Sequence, residues 1–416
     1  MARPAPIRLA GTIAATALCA ALATEASAQS QGGVIVLNNQ LQLGDVVAGV
    51  TLDVVDASQQ VTTTSNARGT ALSGAAEGQN LDLTSTQETR GDVSADTTLT
   101  LRGDTDGRVT AVTQAQGSEL SVGVYSARAD VAAEQLTSGD VTARTLVTRE
   151  DARLIGGGDL QAHAFGNNAT MGGSAAQVVG SVDQRTEGDV RSSVRLAGQY
   201  VPGQAEGYAQ AVGNAVTTTT GSTSHQNLII GQYSAGQVIE ADSSMNAGNA
   251  WDIAARARAA ANRVHNTNQG GSQLAYVDQT NDSYVRSAAT VTAFDYGRAT
   301  AHAQGVGNEV TVGNNDIFVE IENSQFNTGG VDVVTEFQGG RGYDAYIGAD
   351  AVGNSVTGYA CSDCGGQVNA TNSQVNQGDV SARTTATVGV SGRATVVGAN
   401  ATGNAATFYV SRPGGQ

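Results

Sequence analysis

Apolar and polar residues alternate strictly over many short stretches of the chain, which is the pattern of a strand with one buried face. In the stretch 93–101, Val, Ala, Thr, Leu and Leu take every second position, with Ser, Asp, Thr and Thr between them. The stretch 380–390 alternates in the same way. The apolar residues are small and the polar ones are largely Ser and Thr, a composition that suits strands. The pattern predicts an all-β fold.

Two short motifs divide the chain into repeats. The motif Gln-x-x-x-Gly-Asp-Val recurs eight times at intervals of 46 to 49 residues, with its glycine position at 44, 91, 139, 188, 236, 283, 329 and 378. Its glutamines are Gln40, Gln87, Gln135, Gln184, Gln232, Gln279, Gln325 and Gln374. The motif Ala-x-Ala-x-Gly-Asn-x-Val follows about half a repeat later, with the asparagines Asn167, Asn214, Asn262, Asn308, Asn354 and Asn404. Such regularity predicts a solenoid of about eight repeats of about 48 residues.

The spacing of the two motifs is compatible with one coil or two in each repeat. We interpret the repeat as two coils of about 24 residues, each turning at a Gly-Asp or Gly-Asn corner. Glycine adopts positive φ without steric cost, and Asn and Asp tolerate it better than other residues do. About sixteen coils that each rise roughly 4.8 Å would give an elongated solenoid about 80 Å long.

Stacked coils share one continuous core, which no single coil could bury alone. Stacking also aligns identical side chains about 4.8 Å apart, so the repeated glutamines and asparagines could form amide ladders. The alternative is that they are simply good turn residues. The stretch 253–261 is rich in alanine and would favour a helix by propensity alone. Because the repeat register places it where other copies have a strand, we predict a strand there.

The first 28 residues have the features of a secretory signal peptide. Arg3 and Arg8 precede an apolar run over 9–23, and Ala-Ser-Ala at 26–28 is an A-x-A cleavage site. We therefore expect cleavage after Ala28 and a mature solenoid domain over 29–416. The protein is expected to be exported to the outer-membrane surface or the extracellular space.

The mature chain is acidic and contains no lysine. The net charge of −16 becomes −17 on cleavage, because Arg3, Arg8 and Glu25 leave with the signal peptide. Nucleic acids and anionic lipid head groups bind clustered positive charge, so neither is an expected partner. A negative chain instead favours cationic partners.

Few residues have a pattern that suggests chemistry. Cys361 and Cys364 form a C-x-x-C pair, which is compatible with a redox, a zinc or a disulfide role. A redox site would require a βαβ context, and a zinc site would require two further ligands, so an intramolecular disulfide in an oxidising compartment is the prediction. The four histidines are scattered over different repeats. We expect no catalytic residue, no metal site and no cofactor.

The sequence Val-Ile-Val-Leu-Asn-Asn-Gln-Leu-Gln-Leu-Gly-Asp-Val-Val at 34–47, followed by the Gly-Asn-x-Val repeats, resembles the HfaD holdfast-attachment proteins of stalked aquatic bacteria. The resemblance implies a protein that anchors an adhesive polysaccharide, the holdfast, to the outer surface at the cell pole or stalk tip. It also implies two partners, a curlin-like subunit and a lipoprotein similar to the curli pore. The family has no catalytic residues that could be assigned here.

Two alternatives to a surface anchor remain open at this stage. One is a solenoid carbohydrate-active enzyme, although no pair of carboxylates stands out as a catalytic pair. The other is a curlin-like amyloid fibre subunit that self-associates, since the half-repeat has a similar length and composition to the curlin repeat. We expect a non-enzymatic protein that binds extracellular polysaccharide.

Overall fold

The computed structural model describes residues 33–149, 153–361 and 365–411, and this part of the chain forms nineteen strands and no helix. The predicted signal peptide and its cleavage site at Ala28 lie outside the described residues. The described part of the chain contains no helix of the length and apolarity that a membrane crossing requires. The all-β solenoid predicted from the repeats is confirmed. The alanine-rich stretch 253–261 is a strand, as the register predicted.

Each repeat forms one coil, which we number 1 to 8 along the chain. Coils 1 to 3 have three strands each: β1 (Gly33–Gln42), β2 (Val46–Val54), β3 (Val61–Glu77), β4 (Asn80–Thr89), β5 (Val93–Leu101), β6 (Val109–Tyr125), β7 (Arg128–Thr137), β8 (Val141–Arg149) and β9 (Gly158–Ser174). In coils 4 to 8 the second and third strands merge, which gives β10 (Gln177–Thr186), β11 (Val190–Gly221), β12 (His225–Ser234), β13 (Val238–Asn268), β14 (Ser272–Asn281), β15 (Tyr284–Asn314), β16 (Phe318–Asn327), β17 (Val331–Cys361), β18 (Gln367–Asn376) and β19 (Val380–Ser411).

The pairing of the strands shows that the interpretation of two coils per repeat is wrong. Gln40 of β1 pairs with Gln87 of β4, and Gln135 pairs with Gln184, so a full repeat separates stacked residues. All of these pairings are parallel and in register. Eight coils of about 4.8 Å rise give a stack about 40 Å high, half the expected length.

The strands form two parallel sheets. An eight-stranded sheet takes the first strand of every coil, in the order β1-β4-β7-β10-β12-β14-β16-β18. An eleven-stranded sheet takes the second and third strands and runs through β11, where the two merge. Within a coil, the third strand turns back and packs across the interior on the first two. Each coil is therefore a flattened, two-layered loop.

The interior is divided into two apolar clusters. One cluster lies between the second strands and the first half of the third strands, and Val93, Leu99 and Ala111 belong to it. The other lies between the first strands and the second half of the third strands, and Leu83 and Leu120 belong to it. Both clusters run through successive coils. Buried polar side chains, described below, lie between the two.

The Gly-Asn motif is a bend inside a long strand. In β11, Ala209 and Ala211 are buried before the motif, and Asn214 and Val216 are buried after it. The inward-facing positions therefore change from odd to even numbers at the motif, although the strand continues. This parity change is the feature that looked like a second coil corner in the sequence.

Close approach of coils, and not positive φ, explains the repeat glycines. None of the glycines at the Gly-Asp corners has a positive φ. A Cβ on Gly91 would lie 2.1 Å from the carbonyl oxygen of Gly44, and a Cβ on Gly139 would lie 2.1 Å from that of Gly91. At the Gly-Asn bend, a Cβ on Gly166 would lie 2.5 Å from the carbonyl oxygen of Gly213. The positive-φ explanation was wrong at these positions.

One corner contains an additional residue. Val190 of coil 4 pairs with Ile239 and not with Val238, the valine of the motif in coil 5. Ile239 is buried, whereas Val238 is only partly buried. The core position is therefore filled by Ile239 in this coil, and the repeated valine is displaced by one residue.

The repeated glutamines form a continuous hydrogen-bonded ladder. Each Nε2 donates to the Oε1 of the preceding coil, from Gln87 to Gln40 at 3.2 Å and from Gln184 to Gln135 at 2.7 Å. The remaining bonds join Gln135 to Gln87, Gln232 to Gln184, Gln279 to Gln232, Gln325 to Gln279 and Gln374 to Gln325. Every one of these amides also donates across the interior to a backbone carbonyl of the third strand, as Gln184 does to Ala215 at 2.9 Å. The ladder therefore joins all eight coils and both layers.

The asparagines of the second motif form a parallel ladder in coils 3 to 8. Asn167 donates to Asn214 at 2.9 Å, and the series continues through Asn262, Asn308, Asn354 and Asn404. Each amide also donates to the backbone at the end of the first strand, for example from Asn214 to the carbonyl of Tyr233 at 2.9 Å. Both amide protons are thus used, which removes the cost of burying an unpaired amide.

Replacing a corner glycine by alanine should destabilise the stack. In Gly139→Ala the new methyl collides with the backbone of coil 2, so we expect a loss of about 2 kcal/mol or more in the free energy of unfolding, measured by urea titration. The matched control is Gly398→Ala, since a Cβ there meets no atom within 4 Å. Equal unfolding midpoints for the two variants would show that close stacking at the corner is not a constraint.

Breaking the glutamine ladder should also destabilise the protein. Gln184→Met keeps the shape of the side chain but removes three bonds, those to the Oε1 of Gln135, from one amide proton of Gln232 and to the carbonyl of Ala215. At about 1 kcal/mol or more for each buried unpaired group, we expect a loss of about 3 kcal/mol or more. Gln338→Met, on the exposed face of β17, is the control and should change stability by less than about 0.5 kcal/mol. A similar small effect at Gln184 would contradict the ladder's role.

Candidate functional site

The fourteen repeated amides face the interior of the coil stack. Those of the inner coils are buried, and those of the terminal coils, Gln40, Gln374 and Asn404, are more exposed. Because their amide protons are used within the stack, these residues hold the coils together and are not a ligand site. The outer faces and the two ends of the stack are therefore the candidate surfaces for a functional site.

A third polar ladder was missed in the sequence. Two residues after each glutamine lies a polar residue that faces inward beside the Gly-Asn bend: Gln42, Thr89, Thr137, Thr186, Ser234, Asn281, Asn327 and Asn376. Thr186 Oγ1 donates to the carbonyl of Gly213 at 2.9 Å, and Asn281 Nδ2 donates to Asn327 Oδ1 at 2.7 Å. The side chain changes from threonine to asparagine along the stack. A search of the sequence for one identical residue at this position therefore misses the third ladder, whereas a search for short polar residues would have found it.

The corner aspartates of coils 1 to 4 are stacked. Oδ1 of Asp45 accepts the backbone N–H of Asp92 at 3.0 Å, and Asp92 and Asp140 accept from the next corner at 2.9 Å. Asp189 accepts the N–H of Val238 in the same way. Each carboxylate thus caps the next coil, which explains why aspartate follows the corner glycine.

A column of carboxylates lies on the outer face of the eight-stranded sheet. Glu134 and Asp183 are paired neighbours, and Asp278 follows two coils after Asp183, with Gly231 between them. Burial raises the pKa of Asp183, and the neighbouring charge of Glu134 raises it further. A shallow groove of about 570 Å³ runs along this column.

Arginines on the outer faces pair with carboxylates of the neighbouring coil. Arg153 bonds Asp104 at 2.6 Å, and its guanidinium lowers the pKa of that carboxyl through a side-chain hydrogen bond. Arg383 bonds Asp332 at 2.9 Å. Exposed pairs of this kind add little to stability, because water screens them. Because arginines and carboxylates are interspersed in this way, the faces carry paired charges with an acidic excess.

The predicted cysteine pair is only partly described. Cys361 lies buried at the end of β17 and bonds no cysteine among the described residues, and Cys364 lies outside them. The disulfide stays a prediction.

The histidines are spread over coils 3, 5 and 6 and form no cluster. His163 contacts Gln210 and Gln161 on the outer face, at 3.2 and 3.1 Å, and burial lowers its pKa. Among the described residues, no group of three His, Cys, Asp or Glu side chains could hold a metal ion.

The comparisons with known proteins give one family. The sequence profile described as HfaD, holdfast attachment protein D, matches residues 55–330. The N-terminal block at 34–47, on which the resemblance was first based, precedes the matched region. Comparisons with curated proteins and with solved structures gave no match. The matched region covers most of coils 2 to 7 and about two thirds of the chain, and the chain therefore belongs to the holdfast attachment protein D family.

Proposed function

We propose that the protein is a non-enzymatic anchor that holds an adhesive polysaccharide to the outer surface of the cell. The family match over residues 55–330 carries the proposal, because holdfast attachment is the role of that family. The proposed location is the outer-membrane surface at the pole or stalk tip, after export. The proposed partners are a curlin-like subunit and a lipoprotein similar to the curli pore.

The charge of the outer faces supports a cationic polymer as the ligand. Partly deacetylated amino-sugar polymers carry positive charge, and Glu134, Asp183 and Asp278 offer carboxylates in one column of the stack. Each exposed contact contributes only a few tenths of a kcal/mol, but many contacts along one polymer give avidity. A solenoid-type hydrolase is less well supported, since most described carboxylates on these faces are paired with arginines or cap the next coil.

Deleting the gene should release the polysaccharide without stopping its synthesis. We expect the adhesive to appear in the medium and the cells to lose surface attachment, as measured by lectin staining and adhesion assays. Re-expression of the full chain is the control and should restore attachment. Normal attachment of the deletion strain would contradict the anchor.

The charge contribution can be tested separately with purified protein. Replacing Glu134, Asp183 and Asp278 by Gln, Asn and Asn should weaken binding to a chitosan polymer and reduce its salt dependence up to about 0.5 M NaCl. A control with the same charge change, at Asp56, Asp316 and Glu336, should bind as the wild type does. Equal binding by both variants would exclude this column as the cationic site.

A second candidate function, a fibre subunit, is favoured by the two ends of the stack. The strands β1 and β18 end the eight-stranded sheet, and neither contains a charged residue or proline, the usual protection of an open edge. Among the described residues, no strand pairs with their outer edges. The two edges are complementary, because every coil stacks in parallel on the one before.

The ladders are complementary at these ends as well. Among the described residues, Gln40 has no preceding coil to which its Nε2 could donate, and the Oε1 of Gln374 has no following coil from which it could accept. Asp379 is the corner aspartate of coil 8. In coils 1 to 4 the carboxylate at this position accepts a backbone N–H of the next coil. A second copy placed with coil 1 on coil 8 would continue the glutamine ladder and the corner contact.

This head-to-tail stacking should depend on Gln374. The mature protein is expected to form larger species as its concentration rises, measured by light scattering. Gln374→Lys places a charged donor opposite the amide donor of Gln40 and should keep the protein monomeric. The control Gln367→Lys changes an outward-facing residue of the same strand and should assemble. A monomeric wild type, or assembly of Gln374→Lys, would contradict this function.

A further inference from the structure

An open cleft of about 670 Å³ lies on the edge of the solenoid where the second strands turn into the third strands. It extends from coil 3 to coil 8 and lies between the outer faces described above. Two exposed aromatic side chains line it, Trp251 at 61% exposure and Tyr343 at 49%, and Phe294, 63% exposed, precedes the lining residue Asp295. Exposed aromatic rings concentrated at one place mark an interaction site.

The rings are supported by glycines of the following coil. Trp251 lies over Gly297, where a Cβ would be 3.1 Å from the indole, and Phe294 lies over Gly340 at 3.0 Å. Tyr343 lies over Gly392 at 3.1 Å. Aromatic residues and glycines thus alternate along the stack. Each ring rests on backbone, which fixes its position without covering its outer side.

Aromatic rings line the cleft, and one of its lining residues has a buried hydroxyl without a partner. Trp251 and Tyr343 meet edge to face, with centroids 6.3 Å apart and planes at 72°. Tyr296, which is 4% exposed, lines the same cleft and packs on Phe337, and its hydroxyl has no hydrogen-bond partner among the described residues. A buried hydroxyl of this kind is rare unless a ligand or water satisfies it.

The charged groups around the rings are planar and already paired. Arg341 bonds Asp295 at 2.9 Å, with its guanidinium carbon 6.0 Å from the centroid of Phe294. Arg393 bonds Asp344 at 2.6 Å and lies 5.3 Å from the centroid of Tyr343. Arginines at the cleft oppose a cationic ligand there, in contrast to the acidic column of the eight-stranded sheet. Paired guanidinium and carboxylate groups can still donate to and accept from hydroxyls.

We propose that this cleft binds a neutral oligosaccharide stretch of the polysaccharide. The C–H groups of a pyranose ring form an apolar face that packs on an aromatic ring, whose negative π-face attracts them. The ring hydroxyls point outward, where Arg341 and Asp295 can bond them. The ligand class rests on the proposed function of attachment, and the cleft adds a neutral-sugar site to it.

The chain's sole tryptophan, Trp251, reports on this cleft directly. Titration of the mature protein with cellohexaose or chitohexaose should shift Trp251 emission to the blue and protect it from acrylamide quenching. Binding should be unchanged up to about 0.5 M NaCl, because the ligand is neutral. A fully deacetylated chitosan hexamer is cationic. Because of the arginines it should bind the cleft at least about tenfold more weakly than the neutral hexasaccharides do.

Tyr343→Ala keeps the reporter and removes one wall, and should weaken binding about tenfold or more. The control Tyr125→Ala removes an exposed tyrosine outside the cleft and should bind as the wild type does. Circular dichroism of both variants should match the wild type, since both side chains are exposed. Wild-type binding by Tyr343→Ala would overturn the assignment, as would the absence of any sugar effect on Trp251.

Cells carrying Tyr343→Ala distinguish this site from the anchor function itself. We expect them to retain less polysaccharide than cells carrying Tyr125→Ala. Full retention would overturn the cleft as the site while the gene deletion still tests the anchor. Binding of a tryptophan- and leucine-rich peptide in place of both sugars would assign the cleft to a protein partner and would also overturn the proposal.

Discussion

In-register stacking of one coil on the next is the constraint on which the rest of the structure depends. Parallel pairing at about 4.8 Å places each side chain above its equivalent in the preceding repeat. At the corners the backbone approaches so closely that a Cβ on Gly139 would lie 2.1 Å from a carbonyl oxygen. The same spacing brings Gln184 within 2.7 Å of Gln135. Glycine and glutamine recur because the stack requires them at these positions.

Much of this arrangement could be predicted from the sequence, because a stacked fold repeats its requirements along the chain. The strands, the absence of a helix at 253–261 and the grouping of Gln184 with its equivalents all follow from periodicity. The number of coils in a repeat does not follow from periodicity. The Gly-Asp corner and the Gly-Asn bend both require a residue without a Cβ, because neighbouring coils approach closely there. In the sequence the two motifs therefore look like two equivalent corners. Only the hydrogen-bond register, with Gln40 beside Gln87, distinguishes a corner from a bend.

Departures from the repeat are tolerated where they do not disturb the ladders. Coil 5 contains one additional corner residue and fills the core with Ile239, and the glutamine ladder continues through Gln232. The register shifts between Val201 and Gln204, at the turn from the second to the third strand. The aromatic cleft lies at this same edge. Sequence periodicity could not predict it, because its rings occupy positions where the repeats differ from one another.

The buried amides and the outer side chains of the stack therefore differ in role. The amides inside the stack have their protons engaged, so replacing them is expected to lower stability, whereas the recognition proposed above depends on outer residues that the fold does not require. The proposed column of Glu134, Asp183 and Asp278 would hold a long polymer by several weak contacts. The cleft around Trp251 occurs at one edge and offers shape and stacking instead. A polysaccharide with both charged and neutral stretches would be held by avidity along the sheet and by specific contacts at the cleft, on one rigid stack of coils.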